Sequence, residues 1–477
     1  MGRGLPWPLL IESGLVPVEL KRPRLISGQA QDSCGAASGA AAKGWSVDNQ
    51  FYRAVWRWHF YAGLIVLPVL VWLAVTGGLY LYKPEIERAV YREWIELAAP
   101  AQAMPLGEMI GRVEQASGAK VTQVARPAAA DESWRMTLAA PDGETRTAFV
   151  DPASGALLGT TSKGGVMEVV KTLHSLTVTG TIGNALVEIV AGWTILLVLS
   201  GFYLWWPRRG GRALALRGKP RERRFWRDLH ASAGAVVGLV VLFLAVTGLP
   251  WSVFAGEQLH RAVESGGAGR PAAPSAAAPA GDDHQAHLPW SMQRSAPPHG
   301  GAGGDIGPQR AMALAEARGM SAPWMLAIPA APGAPYQFSR AAERANEAHV
   351  LYLDAASGAV LQDAAYAGFG GGAQAIEWGI YTHQGQQYGE INRLVMLTGC
   401  IGVLLLAASA PIMWWKRRRR GRLDAPPSAS PRQTRVVAAL MVAGGVLLPL
   451  TGLTMLAALA GEMAWRRWGP GPAGAAA

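Results

Sequence analysis

The sequence predicts an α-helical integral membrane bundle of four core spans plus one C-terminal span, carrying two small outward α+β domains that arose by internal duplication. Three observations lead to this fold class. Only 16% of the 477 residues are charged, whereas a soluble globular protein carries about a quarter. Five apolar runs are long enough to cross a bilayer, and the two halves of the chain repeat one another. A purely soluble or disordered protein is therefore excluded.

The apolar runs each supply the roughly 20 residues that a helix needs to cross a hydrocarbon core of about 30 Å. They cover residues 60–82, 186–206, 231–254, 394–415 and 436–460. The loop after the second run contains nine basic residues, and the loop after the fourth contains six: Arg208, Arg209, Arg212, Arg217, Lys219, Arg221, Arg223, Arg224, Arg227, then Lys416, Arg417, Arg418, Arg419, Arg420, Arg422. Because cytoplasmic loops are rich in Lys and Arg, both loops are predicted to be cytoplasmic.

The net charge of +11 follows from this topology and does not indicate a nucleic-acid partner. Acidic residues outnumber basic ones in the outward segments 83–185 and 255–393, so the positive excess lies at the inner loops. The N-terminus is predicted to be cytoplasmic and the C-terminus to lie outside. Arg466 and Arg467 fit an outer position poorly, which leaves open a short hairpin in place of the last span.

The strongest signal in the sequence is self-similarity between its halves. WRWH with LAVTG around the first span repeats as WRDLH with LAVTG around the third, so His59 and His230 occupy equivalent positions. His174 precedes Trp205 by 31 residues, and His383 precedes Trp414 by the same number. The outward segments repeat as FVDPASG and YLDAASG, which read as strand, turn and strand, each after a helix-like stretch at 105–118 or 308–319. Both copies point the same way, so a pseudo-two-fold axis along the membrane normal is expected.

These signatures, with WWPRR, WWKRRR and the D-x-x-S-G elements, resemble the PepSY-associated transmembrane proteins of bacterial inner membranes. The resemblance covers roughly residues 45–460. That family includes iron-regulated membrane proteins and ferric-siderophore reductases that carry b-type haem in their helical bundle. The resemblance implies a multi-pass inner-membrane location, a similar reductase role, and PepSY-like domains in the periplasm.

The expected organisation alternates spans with outward domains and basic loops, and it carries a Gly/Ala/Pro-rich flexible insertion at 266–304. No cleavable signal peptide is recognised at the N-terminus. In chain order the segments are a disordered tail 1–45, span 46–82, PepSY-like domain 83–170, outer segment and span 171–207, basic loop 208–228, span 229–256, PepSY-like domain 257–379, outer segment and span 380–415, basic loop 416–435, span 436–461 and tail 462–477.

Four of the nine histidines form two matched pairs, His59 with His230 and His174 with His383. Two imidazoles facing each other across a pseudo-two-fold axis suit a haem iron, which takes axial ligands from opposite faces of the macrocycle. The pattern predicts two haem b sites, one near each membrane face. The alternative interpretation is interfacial polar histidines that duplication copied. His260 has no counterpart in the first half, and is a substitute for an outer ligand, a residue that touches substrate, or a surface residue.

Two features bear on how such sites would work. The outer pair is expected above the apolar core, which separates the two sites by about the bilayer thickness unless breaks near Gly180 and Gly389 let the outer histidines dip inward. Trp72 and Trp193 are candidate relays between the sites, or ordinary packing residues. Glu188 is the one acid inside an apolar run, and is either a group that couples proton uptake to electron transfer or a hydrogen-bonded structural residue.

Other common sites are absent from the sequence. Walker A and C-x-x-C patterns do not occur, and the one G-x-G-x-x-G match, GPGPAG at 469–474, falls in a Pro/Gly-rich stretch near the C-terminus and not between a strand and a helix, which disfavours NAD(P)H, ATP and iron–sulfur chemistry. Cys34 and Cys400 do not suggest a disulfide or a thiolate metal site. The histidines and acids of the insertion read as a solvated linker.

The leading hypothesis is an inner-membrane b-type di-haem electron-transfer protein that reduces a periplasmic ferric chelate, such as a siderophore, to release Fe(II). Its electrons would come from quinol or a cytosolic reductant. Ferric siderophores use hard oxygen donors that hold Fe(III) better than Fe(II), so reduction weakens the chelate. A non-enzymatic PepSY-type binding or regulatory membrane protein is one alternative. A permease for a metal chelate, with Glu188 in its pathway, is another.

Overall fold

A computed structural model describes residues 49–98, 102–206, 214–265, 269, 288–294, 297–301, 303–417 and 431–468. The predicted N-terminal tail, most of the insertion at 266–304, and parts of both basic loops and of the C-terminal tail lie outside these residues. The described α-helices are α1 (Asn49–Tyr80), α2 (Lys83–Val90), α3 (Arg92–Ile95), α4 (Leu106–Ser117), α5 (Gly165–His174), α6 (Gly180–Trp205), α7 (Arg223–Gly248), α8 (Phe254–Ser265), α9 (Pro308–Ala317), α10 (Gly371–His383), α11 (Glu390–Trp415), α12 (Pro431–Leu447) and α13 (Pro449–Trp468).

Four of the described helices, α1, α6, α7 and α11, are long and apolar enough to cross a membrane. They are the predicted spans one to four. Each packs against two of the others, in the cyclic order α1, α6, α7, α11. Helix α1 therefore lies diagonally opposite α7, and α6 opposite α11. The duplicated halves thus form one four-helix bundle around a common axis.

A single antiparallel sheet of eight strands stands at one end of the bundle. Its order is β4-β3-β2-β1-β5-β6-β7-β8, with bounds Lys120–Arg126, Trp134–Ala139, Thr145–Val150 and Leu157–Ser162 for β1 to β4, and Trp324–Ala327, Tyr336–Arg340, His349–Leu353 and Val360–Ala365 for β5 to β8. We call this end of the bundle the sheet side and the other end the basic side. Helix α1 begins on the basic side and ends on the sheet side.

The central strands β1 and β5 come from different halves of the chain. Gln123 pairs with Ala327 and Val124 with Leu326, so the pairing has the symmetry expected at a two-fold axis. Helices α4 and α9 contact each other on this sheet, and one apolar core joins both halves through residues such as Val124 and Leu326, which are fully buried. The expectation of two separate outward domains is corrected here, because pairing the two strand edges buries backbone groups that each domain alone would leave open.

The predicted fifth span is also corrected. Two shorter apolar helices, α12 and α13, occupy residues 431–468 and pack against each other. The chain breaks before Pro449, since the residue preceding a proline is disfavoured in helical conformation. The resulting hairpin lies on the α1/α6 face of the bundle, where Met455 is fully buried against Ala62 and Trp193.

Both sheet-side histidines precede a break in the chain. Helix α5 ends at His174 and α10 ends at His383, and each is followed by a short connection to the next span. Gly180 and Gly389 occupy equivalent points with φ of 71° and 63° and ψ of −154° and −145°. This backbone region is essentially restricted to glycine. The break turns each histidine back toward the bundle.

Candidate functional site

The basic-side pair consists of His59 on α1 and His230 on α7, two diagonally opposed helices. The Nδ1 atom of His59 lies 2.9 Å from the hydroxyl of Ser200 on α6. His230 makes the same contact, at 2.9 Å, with Ser409 on α11. Ser200 and Ser409 occupy equivalent positions in the two halves, each 26 residues after the sheet-side histidine of its half. The two hydrogen bonds are therefore one duplicated feature.

The sheet-side pair is built in the same way from the other two histidines. The Nδ1 atom of His174 lies 2.9 Å from the hydroxyl of Thr76 on α1. His383 lies 2.8 Å from Thr247 on α7. These threonines belong to the repeated LAVTG segments, so each half supplies the hydroxyl for its own sheet-side histidine.

The hydroxyl partners favour one of the two neutral tautomers of each imidazole. Thr76 also donates to the carbonyl of Trp72 at 2.8 Å, and Thr247 to that of Phe243 at 2.7 Å. Ser200 and Ser409 likewise bond carbonyls of their own helices at 3.1 Å. A hydroxyl has one proton, and a carbonyl can only accept it, so the contacts favour the tautomer in which the imidazole Nδ1–H donates to the hydroxyl oxygen. Nε2 then keeps its lone pair in all four rings, as a metal ligand requires.

The four paired histidines are only partly exposed. All four histidines lie deep in the protein, yet each keeps partial accessible surface. His59 lies within electrostatic range of His230, and His174 within range of His383. Burial lowers the pKa of His174 and of His383, so their rings are neutral at neutral pH.

Glycines lie beside three of the rings, and at Gly77 the approach is closer than a side chain would ordinarily allow. A Cβ atom on Gly77 would lie 3.1 Å from Cε1 of His174, one on Gly201 3.4 Å from Cε1 of His59, and one on Gly248 3.7 Å from Cε1 of His383. Paired imidazoles that each contact a hydroxyl through Nδ1 and lie beside small residues fit a planar macrocycle held from both faces.

An apolar layer separates the two histidine pairs. Side chains from all four spans form it: Leu70, Ala74, Val198, Val237, Val241, Cys400 and Val403. Thr76 follows His59 by 17 residues in α1, which corresponds to about 25 Å along the helix axis at roughly 1.5 Å per residue. The sheet-side pair therefore lies level with the last turns of α1 and α7. It is not above the apolar core, as the unbroken chain would place it.

The same region of the chain is matched by a known protein family. Residues 56–417, about three quarters of the chain, match the family described as PepSY-associated TM region. The chain belongs to this family. No curated protein matches it.

In this PepSY-associated protein, Glu188 has a structural partner. It is almost fully buried on α6, and its carboxylate accepts hydrogen bonds from the backbone N–H groups of Phe254 at 2.8 Å and Ala255 at 3.2 Å. These N–H groups lie in the first turn of α8, which has no intrahelical acceptor for them. Glu188 thus caps a neighbouring helix, and coupling of proton uptake through it remains a prediction.

His260 lies apart from the paired histidines. Its ring stacks on Trp290 with ring centres 3.7 Å apart, and the residue is buried on α8. The structure therefore gives it a packing partner, while its role as a substitute ligand stays a prediction. Trp72 and Trp193 point away from the bundle axis. Trp72 is exposed and donates to the carbonyl of Leu173, and Trp193 donates to Thr454 of the hairpin.

Sequence reasoning missed the serine partners of the basic-side pair. Ser200 and Ser409 look like ordinary small polar residues of apolar helices. The signal that could have found them is the repeat itself, since Ser409 follows Ser200 by the same 209 residues that separate His383 from His174. Among the described residues, no cluster of three His, Cys, Asp or Glu side chains could hold a metal ion. The histidines at 284 and 287 lie outside those residues.

Proposed function

We propose that this protein is an inner-membrane electron-transfer protein that holds two b-type haems, one between His59 and His230 and one between His174 and His383. The observation that carries this proposal is that Nδ1 of each of the four paired imidazoles contacts a hydroxyl at 2.8–2.9 Å, which leaves Nε2 as the free ring nitrogen. A merely interfacial histidine needs no such arrangement. Haem bound at these positions would supply reversible one-electron storage.

The hydroxyl residues beside the histidines and the apolar layer between the pairs have distinct parts in this function. Ser200 and Ser409 orient the basic-side imidazoles, and Thr76 and Thr247 orient the sheet-side ones. Such outer hydrogen bonds raise the basicity of a ligand and fix the plane of its ring. The apolar layer between the pairs keeps water out of the path that an electron takes along the bundle axis.

The direction of transfer follows from the proposed topology. The basic loops would face the cytoplasm, and the sheet would face the periplasm. Electrons would enter from quinol or a cytosolic reductant and leave on the sheet side to a ferric chelate such as a siderophore. One electron converts its Fe(III) to Fe(II), which hard oxygen donors hold less well. The released Fe(II) would be the product.

The visible spectrum tests the haem sites. We expect protein purified from haem-replete bacteria to show the reduced bands of b-type haem. The double variant His59→Ala/His230→Ala should lose about half of this absorbance, and His174→Ala/His383→Ala the other half, because each axial pair holds one group. His349→Ala is the matched control, since His349 lies on β7 and pairs with Asp363 of β8. A colourless wild-type protein would contradict the proposal.

Ferric reduction is tested separately. Protein reduced with dithionite and freed of excess reductant should reoxidise when ferric citrate is added, with Fe(II) appearing in a colorimetric trap. Each haem equivalent should yield about one Fe(II). A haem-containing protein that leaves Fe(III) unreduced would keep the electron-transfer assignment but remove the ferric chelate as acceptor.

A further inference from the structure

One turn on the sheet side is held in place from three directions. It joins α7 to α8 and carries Pro250 and Trp251. Asn184 on α6 donates from Nδ2 to the carbonyl of Trp251 at 3.4 Å, and Trp290 donates from its indole N–H to the carbonyl of Pro250 at 3.0 Å. Glu188, one helical turn after Asn184, caps the start of α8 immediately after this turn.

This turn places an indole against one sheet-side histidine. The ring of Trp251 meets the ring of His383 edge to face, with centroids 6.0 Å apart and planes at 71°. Trp251 is 39% exposed. Its side chain therefore joins the buried imidazole to accessible surface.

The first half of the chain lacks this arrangement. The positions equivalent to Trp251, Glu188 and Asn184 are occupied by Tyr80, Leu397 and Arg393. Arg393 forms ion pairs with Glu85 and Glu390 and lies over the ring of Tyr82 in the turn between α1 and α2, so a cation takes the place of the Asn184 amide. The two halves thus have the same residues at the four histidine positions. They differ at Trp251 and at Asn184 and Glu188, the two residues of α6 that hold the turn of Trp251.

We infer that Trp251 is the contact through which an electron leaves the His383 side of the protein for an acceptor docked on the sheet side, and that Glu188 and Asn184 are positioning residues for it. This inference rests on the proposed function. The indole acts as a bridge between the centre and the acceptor: one electron is lost by the reduced protein, one is gained by Fe(III) of the chelate, and no bond is made or broken.

The first test compares two equally exposed tryptophans. Trp378 on α10 is also 39% exposed, but it packs on Phe243 and donates to Tyr388. We expect Trp251→Leu to slow reoxidation by ferric citrate about tenfold, with the haem spectrum and the midpoint potentials unchanged. Trp378→Leu should be reoxidised at the wild-type rate, and Trp251→Tyr should retain most of the wild-type rate. Equal rates for Trp251→Leu and Trp378→Leu would overturn the inference.

The second test concerns the positioning residues and does not depend on turnover. Glu188→Leu installs the residue of the equivalent position in the other half and removes both acceptors of the α8 N–H groups. We expect faster amide hydrogen exchange across residues 249–258 and slower reoxidation by ferric citrate. Glu188→Gln keeps one acceptor oxygen, so it should restore most of the protection from hydrogen exchange and most of the reoxidation rate. Unchanged exchange and unchanged reoxidation in Glu188→Leu would remove its positioning role.

The two proposals fail in different ways. A colourless wild-type protein sinks the haem assignment itself, whereas the hydrogen-exchange result for Glu188→Leu can still be measured on it. A coloured wild-type protein whose Trp251 variants reoxidise normally keeps the haem assignment and sinks the exit through Trp251 alone.

Discussion

At each paired histidine, a single hydroxyl joins the imidazole to the backbone of another helix. The hydroxyl donates to a carbonyl of its own helix and accepts from the ring. A typical hydrogen bond adds only about 1 kcal/mol to stability, so the main effect is on orientation. Without the hydroxyl, the ring can rotate or change tautomer, and Nε2 no longer points reliably into the bundle.

Removal of the hydroxyl is therefore predicted to weaken haem binding at the site of the histidine that it contacts. Thr76→Val keeps the shape of the side chain but removes the acceptor for His174, and we expect the retention of haem at the sheet-side site to weaken about 10- to 100-fold, as for other hydrogen-bond partners of metal ligands. Titration of the haem-free protein with haem measures the affinity. Thr398→Val in α11 is the control, because Thr398 bonds only its own helix at Val395. An equal effect of both variants would contradict the prediction.

At the scale of the element, two glycines determine where the sheet-side histidines lie. Gly180 begins α6 and Gly389 directly precedes α11. Both have a backbone conformation with positive φ and ψ near −150°. A continuous helix would carry His174 and His383 beyond the end of the bundle. The break instead lets them reach Thr76 and Thr247, which lie inside the spans.

Alanine at these positions should therefore be costly. We expect Gly180→Ala to lower stability by about 1–3 kcal/mol, since this backbone region is strained for any residue with a Cβ. It should also lower the haem content of the sheet-side site, because straightening the chain withdraws His174. Gly111→Ala within α4 is the control. That site is open around the missing Cβ, and Ala is favoured over Gly in a helix interior by roughly 0.5–1 kcal/mol. Thermal unfolding in detergent compares the stability of the two variants. A destabilisation of Gly111→Ala as large as that of Gly180→Ala would contradict the argument.

At the scale of the whole molecule, the C-terminal hairpin changes the predicted topology. The start of α12 and the end of α13 are both far from the turn at Pro449, and they lie on the same side of the bundle. This accounts for Arg466 and Arg467, which fit poorly on the outer side of a fifth span. The end of α13 returns to the side of the bundle on which α12 begins, so these positions no longer require an outer location.

Labelling of single cysteines tests this topology. In a protein without its native cysteines, Arg432→Cys and Met463→Cys should react with a membrane-impermeant maleimide from the same side. Both positions are exposed. Asp142→Cys, in an exposed turn of the sheet, should react only from the opposite side and serves as the reference. Labelling of positions 432 and 463 from opposite sides would restore a single fifth span.

The sequence was sufficient for the repeated unit and for its four long helices, because apolar length and register are local properties. It could not show that β1 and β5 pair, since that contact joins residues about 200 positions apart. It also left Glu188 undecided, because its acceptor role depends on where α8 begins. The paired histidines were predicted from their repetition, while their hydroxyl partners required the positions of Ser200 and Thr76 in the fold.

The pairing of β1 with β5 has a consequence for how such a protein could change over evolutionary time. A half-length ancestor would have met a second copy of itself along this strand edge, and every substitution would have appeared on both sides of the dimer. Once the halves were fused, each side became free to vary alone. Trp251 opposite Tyr80 and Glu188 opposite Leu397 are differences that a homodimer encoded by one gene could not hold.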